Sequence, residues 1–293
     1  MNQELLRAAL NGLPLGGIRY FERIGSTNDE AVRWANQGAP NLSLVLADEQ
    51  TAGRGKNGRK WYSPPGASLA LSLIIAPELT KPRSLPRLTA LGALAVNAAL
   101  KELYGLEAQI KWPNDVLVQR QKVCGVLVEA GWDGDQLQAL VVGIGINVAP
   151  ASTMDVNSPQ TGNVLPAASM EALLDRPVNR LELLRAVLAN MLDWLPELGS
   201  QEFLKSWQAS LAFHGEWVQV TLDQGSPVVG LPNAGEDRSP TILAEGKVMG
   251  LSPSGSLRLR TAAGKTVRVS AGEVHLRPAR APVITRQASS SGL

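Results

Sequence analysis

Cysteine is nearly absent from this 293-residue chain, with Cys124 the only one. A lone thiol excludes an internal disulfide framework and a cysteine-built zinc site. Two histidines, His214 and His275, are too few for a histidine-rich metal centre, so no metal is expected on His or Cys ligands. No run reaches the roughly 18 apolar residues that a membrane-spanning helix needs. The opening MNQELLRAALNG carries an acid and no long apolar stretch, so it does not read as a secretory signal. A soluble, cytoplasmic protein with no membrane partner is expected. An excess of one charge is missing too: 28 basic residues face 26 acidic ones, a net charge of +2. That balance gives no global case for nucleic-acid binding, so any basic site must be local. The chemistry is left to carboxylates, lysines, arginines and backbone. Cys124, in an apolar run, reads as a buried, inert thiol.

The length suggests more than one ordinary domain and fewer than three, and a hydrophobic fraction of 44% can build a sizeable core. Residues 1–17 read as a short helical leader. IRYFE (18–22) and LSLVLADEQ (42–50) read as strands on either side of a helix starting near Thr27. ASLALSLIIA (67–76) is apolar on both faces, as a buried strand should be. The helical spacing of 84–105 ends at Gly105, a fitting cap. Three runs, the first around IKW (110–112) and VLVQ (116–119), then 122–132 and 137–148, are joined by turn formers and read as successive antiparallel strands. Strands and helices mix without strict βαβ alternation, so the expected class is α+β, a mixed central β-sheet flanked by helices. A loop over 151–169 and helices near 170–175, 179–198 and 200–212 complete this part. After His214, short strands between Gly, Ser and Pro turns have the pattern of a small barrel. The expected division is 1–212, then a barrel over 213–280 with a flexible hairpin tip at 225–240, then a disordered tail over 281–293.

Four segments carry chemistry. In TAGRGKNGRKW (51–61), Gly53, Gly55 and Gly58 alternate with Arg54, Lys56, Arg59 and Lys60. Glycines let backbone N–H groups approach an anion and the cations neutralise phosphate, although a solvated basic hairpin has the same composition. The run matches neither a P-loop nor a dinucleotide fingerprint. In KWPNDVLVQRQKVCGVLVE (111–129), Pro113 breaks a strand, and Asn114 and Asp115 are either turn formers or a polar site facing Lys122. Ser26, Thr27 and Asn28 precede or open a helix. Thr27 and Glu30 have capping-box spacing, and the cluster also suits a neutral polar ligand head. In VVGIGINV (141–148), alternating glycines mark the close approach of a ligand or another backbone.

In chain order, Ser26-Thr27-Asn28, then QTAGRGxxGRxW from Gln50 to Trp61, then KWPND, then KxxG at Lys122 and Gly125, then GIGIN ending at Asn147, form a specific series. It resembles the biotin protein ligases, that is, biotin–[acetyl-CoA-carboxylase] ligases. The resemblance is strong over about 18–150 and extends through the barrel, where GEVHLR looks like the family's last strand. It implies a biotin/lipoate ligase catalytic fold followed by an SH3-like β-barrel. It also implies an ATP-dependent, AMP-forming amide ligase: biotin and ATP, with Mg²⁺, give biotinyl-5′-AMP, and a lysine of a biotin carboxyl carrier domain takes the biotinyl group. Carried over by motif, Ser26, Thr27, Asn28 and Gln50 would contact the biotin head. Gly53, Arg54, Gly55, Lys56 and Arg59 would lie in a loop over biotin and adenylate, with Trp61 at the adenine side. Lys122 would bind phosphate, Asp115 would orient or deprotonate the acceptor lysine beside Asn114, and Gly125 and Asn147 would line the pocket wall. Arg54, Asp115 and Lys122 are the expected catalytic residues.

Two departures from the family pattern matter. Lys56 stands where the family often has arginine, and a lysine cannot fork onto two acceptors, which bears on adenylate retention. Only about 17 residues precede the first strand, so no winged-helix DNA-binding domain, no repressor function and no DNA partner are expected. The carrier partner implied is that of acetyl-CoA carboxylase or a related carboxylase, and a homodimer formed through open sheet edges is an open outcome. The nearest alternative is a lipoate/octanoate–protein ligase of the same fold. A non-catalytic RNA- or protein-binding module is the alternative of a different class, and it leaves Ser26-Thr27-Asn28 and KWPND without a role.

Overall fold

The computed structural model describes residues 1–77, 85–133, 136–154, 165–222, 242–270 and 274–278. The expected hairpin tip at 225–240 and the tail at 281–293 lie outside the described residues.

The main sheet has seven strands: β1 (Gly17–Ile24), β2 (Ser43–Gln50), β3 (Ser68–Ile75), β4 (Ala108–Lys111), β5 (Asp115–Val118), β6 (Gln121–Asp133) and β7 (Gln136–Asn147). Their spatial order is β1-β2-β3-β7-β6-β5-β4, with only β1 and β2 parallel. A parallel pair needs a crossover, and α2 (Thr27–Asn36) supplies it. The three runs expected over 110–148 are antiparallel, but the first is two strands, β4 and β5, parted at Trp112-Pro113-Asn114.

The two faces of this sheet differ, and the difference makes the site. On one face Leu69, Leu71, Leu73 and Ile75 of β3 join the large core with Val126, Ile144 and Ile146. Helices α3 (Leu85–Tyr104) and α5 (Arg180–Trp194) cover that face, and α1 (Gln3–Ala9), α4 (Met170–Leu174) and α6 (Gln201–Ala209) complete the helical set. Gly105 closes α3 as expected, with Leu106 N–H donating to Leu100 O at 3.2 Å. On the other face α2 covers only one end, packing Ala31 on Val45, Ile74, Ala139 and Val141. The remainder of that face presents Ser72, Gly125, Gly143 and Gly145, side chains too small to fill the space above them. A cleft is left there.

The second sheet holds β8 (Trp217–Leu222), β9 (Ile242–Leu251), β10 (Leu257–Arg260), β11 (Thr266–Val269) and β12 (Val274–Pro278). It is antiparallel throughout, in the order β11-β10-β9-β8-β12, and fits an SH3-like module. Val218, Val220, Val248, Leu257 and Leu259 alternate inward, as a half-buried strand requires. It meets the main body at polar contacts: Trp112 Nε1 donates to Gly255 O at 3.0 Å in a buried bond, and Arg87, which also donates to Leu198 O of the main body at 2.7 Å, donates to Pro253 O at 2.9 Å at the surface. Among the described residues, no helix is long and apolar enough to cross a membrane.

Candidate active site

The cleft is open to solvent, with about 850 Å³ of unfilled space in it and its mouth together. Its floor is β3, β7 and β6, its roof the glycine-rich segment, and its ends are chemically unlike.

One end is a neutral, hydrogen-bonding shelf at the N-terminus of α2. Ser26, not Thr27, is the helix cap: its backbone is extended and its Oγ accepts from Asp29 N–H at 3.5 Å. The cap therefore sits one residue earlier than the expected Thr27, because Thr27 already has helical geometry. Its hydroxyl is thereby released to donate to Gln50 Oε1 at 3.1 Å, while its N–H reaches the same atom at 2.9 Å. Ser72 Oγ lies 2.6 Å from Asn28 Oδ1 and 2.9 Å from Thr27 Oγ1. The shelf fits against the sheet only because residue 143 is glycine, since a Cβ there would overlap the Asn28 amide.

The other end is charged. Lys122 Nζ lies 2.6 Å from Asp115 Oδ1, and Lys111 Nζ lies 3.4 Å from Oδ2. A bulge makes this possible: Asp115 pairs with Gly125 and Val116 with Cys124, but Leu117 pairs with Lys122, leaving Val123 as the extra residue. Strict alternation would send Lys122 to the core side with Cys124; the bulge returns it to the cleft. Burial pushes the Asp115 carboxyl up, but Lys122 and then Lys111 outweigh it and hold it at about 2. Burial pushes Lys111 below its ordinary value against the pull of Asp115. Asn114 is fixed beside them, donating to Val126 O at 3.1 Å.

Between the ends runs a bare strip, Gly125 and Gly145, with the Trp61 indole lying on it. A Cβ on Gly145 would overlap the ring, so glycine is required there. The Lys122 ammonium stands 5.5 Å from the ring centroid. The indole Nε1 is buried with no hydrogen-bond partner. The glycine-rich segment is a hairpin: Gln50 N–H donates to Ser63 O at 3.1 Å, Trp61 N–H to Gly53 O at 2.8 Å and Gly55 N–H to Arg59 O at 2.7 Å. A 3₁₀ turn, Lys56–Gly58, forms its tip.

The cleft thus gathers Ser26, Thr27, Asn28, Gln50, Arg54, Gly55, Lys56, Arg59, Trp61, Asn114, Asp115, Lys122 and Gly125. Gly53 lies at the hairpin's base, tight against Gln50 and the Trp61 carbonyl. Asn147 is different from the expectation. It is buried and, rather than lining the wall, donates to Lys122 O at 3.4 Å and Ala168 O at 3.2 Å, supporting the backbone that carries Lys122. Cys124 is fully buried, with burial pushing its thiol up, an inert group as expected. Four contributors were missed from sequence: Lys111, Ser72, Asp29 and Glu129. Lys111 had a signal, its i,i+4 spacing to Asp115. Glu129 had another, a single acid within an apolar strand, which needs a cation.

Residues 20–147 match the Biotin/lipoate A/B protein ligase family, and residues 236–277 match the Biotin protein ligase C terminal domain. The chain is 34% identical over 254 residues to the biotin–[acetyl-CoA-carboxylase] ligase of Paracoccus denitrificans, covering 86% of this chain and 97% of that protein. It is 41% identical over 129 residues to the bifunctional ligase/repressor BirA of Bacillus subtilis, a match spanning 44% of this chain and only 39% of the relative's length. Its fold is similar to that of the Aquifex aeolicus biotin protein ligase solved in complex with biotin and ATP, with a TM-score of 0.69, 27% identity and coverage of 90% of this chain and 99% of that one. With both sheets, the cleft and a near full-length relative in agreement, the chain belongs to the biotin protein ligase family.

Proposed function

We propose that this chain activates biotin with ATP as biotinyl-5′-AMP and transfers the biotinyl group to a lysine of a biotin carboxyl carrier protein, such as that of acetyl-CoA carboxylase. The observation that carries the reading is the cleft's polarity. A shelf of neutral donors and acceptors, Ser26, Thr27, Asn28 and Gln50, suits an uncharged polar head. A glycine floor suits a thin aliphatic body. Lys122 and Lys111 at the far end suit a carboxylate and then phosphate.

In the first step the biotin carboxylate attacks the α-phosphorus of ATP, forming a mixed anhydride and releasing pyrophosphate. Lys122 offsets charge on the phosphate in a partly dry site, where a fixed cation counts for most. In the second step the acceptor lysine gives its ammonium proton to water and attacks the biotinyl carbonyl as the free amine; the carbonyl–oxygen bond to the phosphate breaks, AMP leaves as the phosphate anion, and the amine's remaining surplus proton passes to solvent. Asp115, held near 2 by its two ammonium neighbours, is a weak base, so orienting is the role that fits it: it fixes Lys122 and accepts from an incoming ammonium. The hairpin over 51–61 shields the anhydride from water. Asp115 is the only carboxylate lining the cleft among the described residues, and no group of three or more His, Cys, Asp or Glu converges there. Mg²⁺ would be carried by the nucleotide's phosphates and would add positive charge there beside Lys122. On this reading 1–212 is the catalytic unit and 213–280 the C-terminal one; every residue named in the site falls within the first.

Biotin-dependent exchange of pyrophosphate into ATP, with lipoate and octanoate in parallel, tests the reading. Exchange with biotin alone is expected. Exchange with lipoate instead would move the chain to the lipoate side of the family, and none with any acid would sink the ligase reading.

A further inference from the structure

Arg54 belongs to the cationic hairpin, yet its guanidinium does not point toward the phosphate end of the cleft. Its two terminal nitrogens fork onto Glu129, Nη1 to Oε1 at 2.8 Å and Nη2 to Oε2 at 2.7 Å, and Nη2 also meets Asp29 Oδ1 at 2.5 Å. Glu129 Oε2 accepts in addition from Asn28 Nδ2 at 2.7 Å. Lys122 lies toward the opposite end of β6, beyond Gly125, with Asp115 of the neighbouring β5 beside it.

We infer that Glu129 is a positioning residue that pins the hairpin over the neutral shelf through Arg54 and fixes the Asn28 amide, so that it sets affinity for the biotin head and not for the nucleotide. The inference rests on the ligase reading of the cleft. A carboxylate only accepts, so Glu129 forces the Asn28 Nδ2 toward itself and leaves Oδ1 for Ser72. A fork of two charged bonds holds a loop with directional precision that a single contact lacks. Glu129 is three-quarters buried in β6, where a carboxylate needs a partner, and Arg54 and Asn28 supply it.

In Glu129→Gln one amide nitrogen replaces an acceptor, so whichever way the amide turns at least one Arg54 N–H faces a donor and the fork is broken. The biotin KM for pyrophosphate exchange should rise about tenfold, with kcat and the ATP KM changed less than about twofold. Glu129→Asp, which keeps the charge, should recover part of the loss. Tryptic cleavage within 54–60 of the ligand-free protein, mapped by mass spectrometry, reads the pin directly and should quicken several-fold in Glu129→Gln. An unchanged biotin KM with unchanged cleavage would overturn the inference, as would a rise in the ATP KM alone, which would place Arg54 on the phosphates. No exchange by the unaltered protein would instead sink the ligase reading, while cleavage still decides the pin. Should Glu129→Gln fail to fold, Arg54→Lys, which keeps the charge but cannot fork, carries both measurements.

Discussion

Asp115 stands between two ammonium groups, Lys122 at 2.6 Å and Lys111 at 3.4 Å, and the three act as one unit. Its carboxyl titrates near 2 in the folded chain against an ordinary 3.8, so folding favours the ionised form. The associated stability is complete above about pH 5 and is lost as the pH falls through 4 toward 2. Asp115→Asn should cost about 2 kcal/mol near neutrality and flatten the acid limb of a pH-dependent melt. Lys122→Ala should behave in the opposite way. Asp115 keeps Lys111, so the melting temperature should hold within a few degrees, while biotin-dependent exchange falls at least about a hundredfold. At Gly145 the constraint is volume. Gly145→Ala puts a methyl where the Trp61 ring lies and should lower exchange about tenfold in a protein that still folds.

The helix α2 shows how an element serves two ends. Ser26 caps it and Thr27 is its first residue, so the two hydroxyls have separate jobs. Ser26→Ala should cost about 1 kcal/mol in a denaturant melt, as lost caps do. Thr27→Ala should fold nearly as well yet bind biotin less tightly. From sequence, the mixed sheet, the hairpin order over 110–148 and most cleft residues were legible, because motif spacing and alternation survive folding. Three things were not. The cap shifted by one residue, since Ser26 and Thr27 are chemically alike and only backbone geometry separates them. The bulge at Val123 breaks the alternation from which Lys122 would be assigned to a face. Ser72 and Glu129 sit in strands that read as plain core, and nothing local says which neighbour across the sheet they meet. Asn147 carried a motif position, yet its amide serves the Lys122 backbone.

The two sheets are joined where it matters for the site. Trp112 opens the Trp-Pro-Asn-Asp turn and spends its indole N–H on Gly255 O of the second sheet's β9–β10 turn. Trp112→Phe keeps the packing but leaves a buried carbonyl unmet. It should cost about 1–2 kcal/mol and lower exchange without altering the biotin KM, because Asn114 and Asp115 follow directly in the chain. Arg87, bridging Leu198 and Pro253, braces the same junction from α3. Trp61 is fastened to nothing by its ring nitrogen, yet it lies on the glycine strip with an ammonium 5.5 Å away. Indole emission responds to a charge that close, and a phosphate meeting Lys122 would cancel it. The site thus carries its own lamp. Subtracting the Trp61→Phe spectrum removes the remaining light of the chain's seven tryptophans, and occupancy can then be followed as colour, with no label, no coupled reaction and no carrier protein.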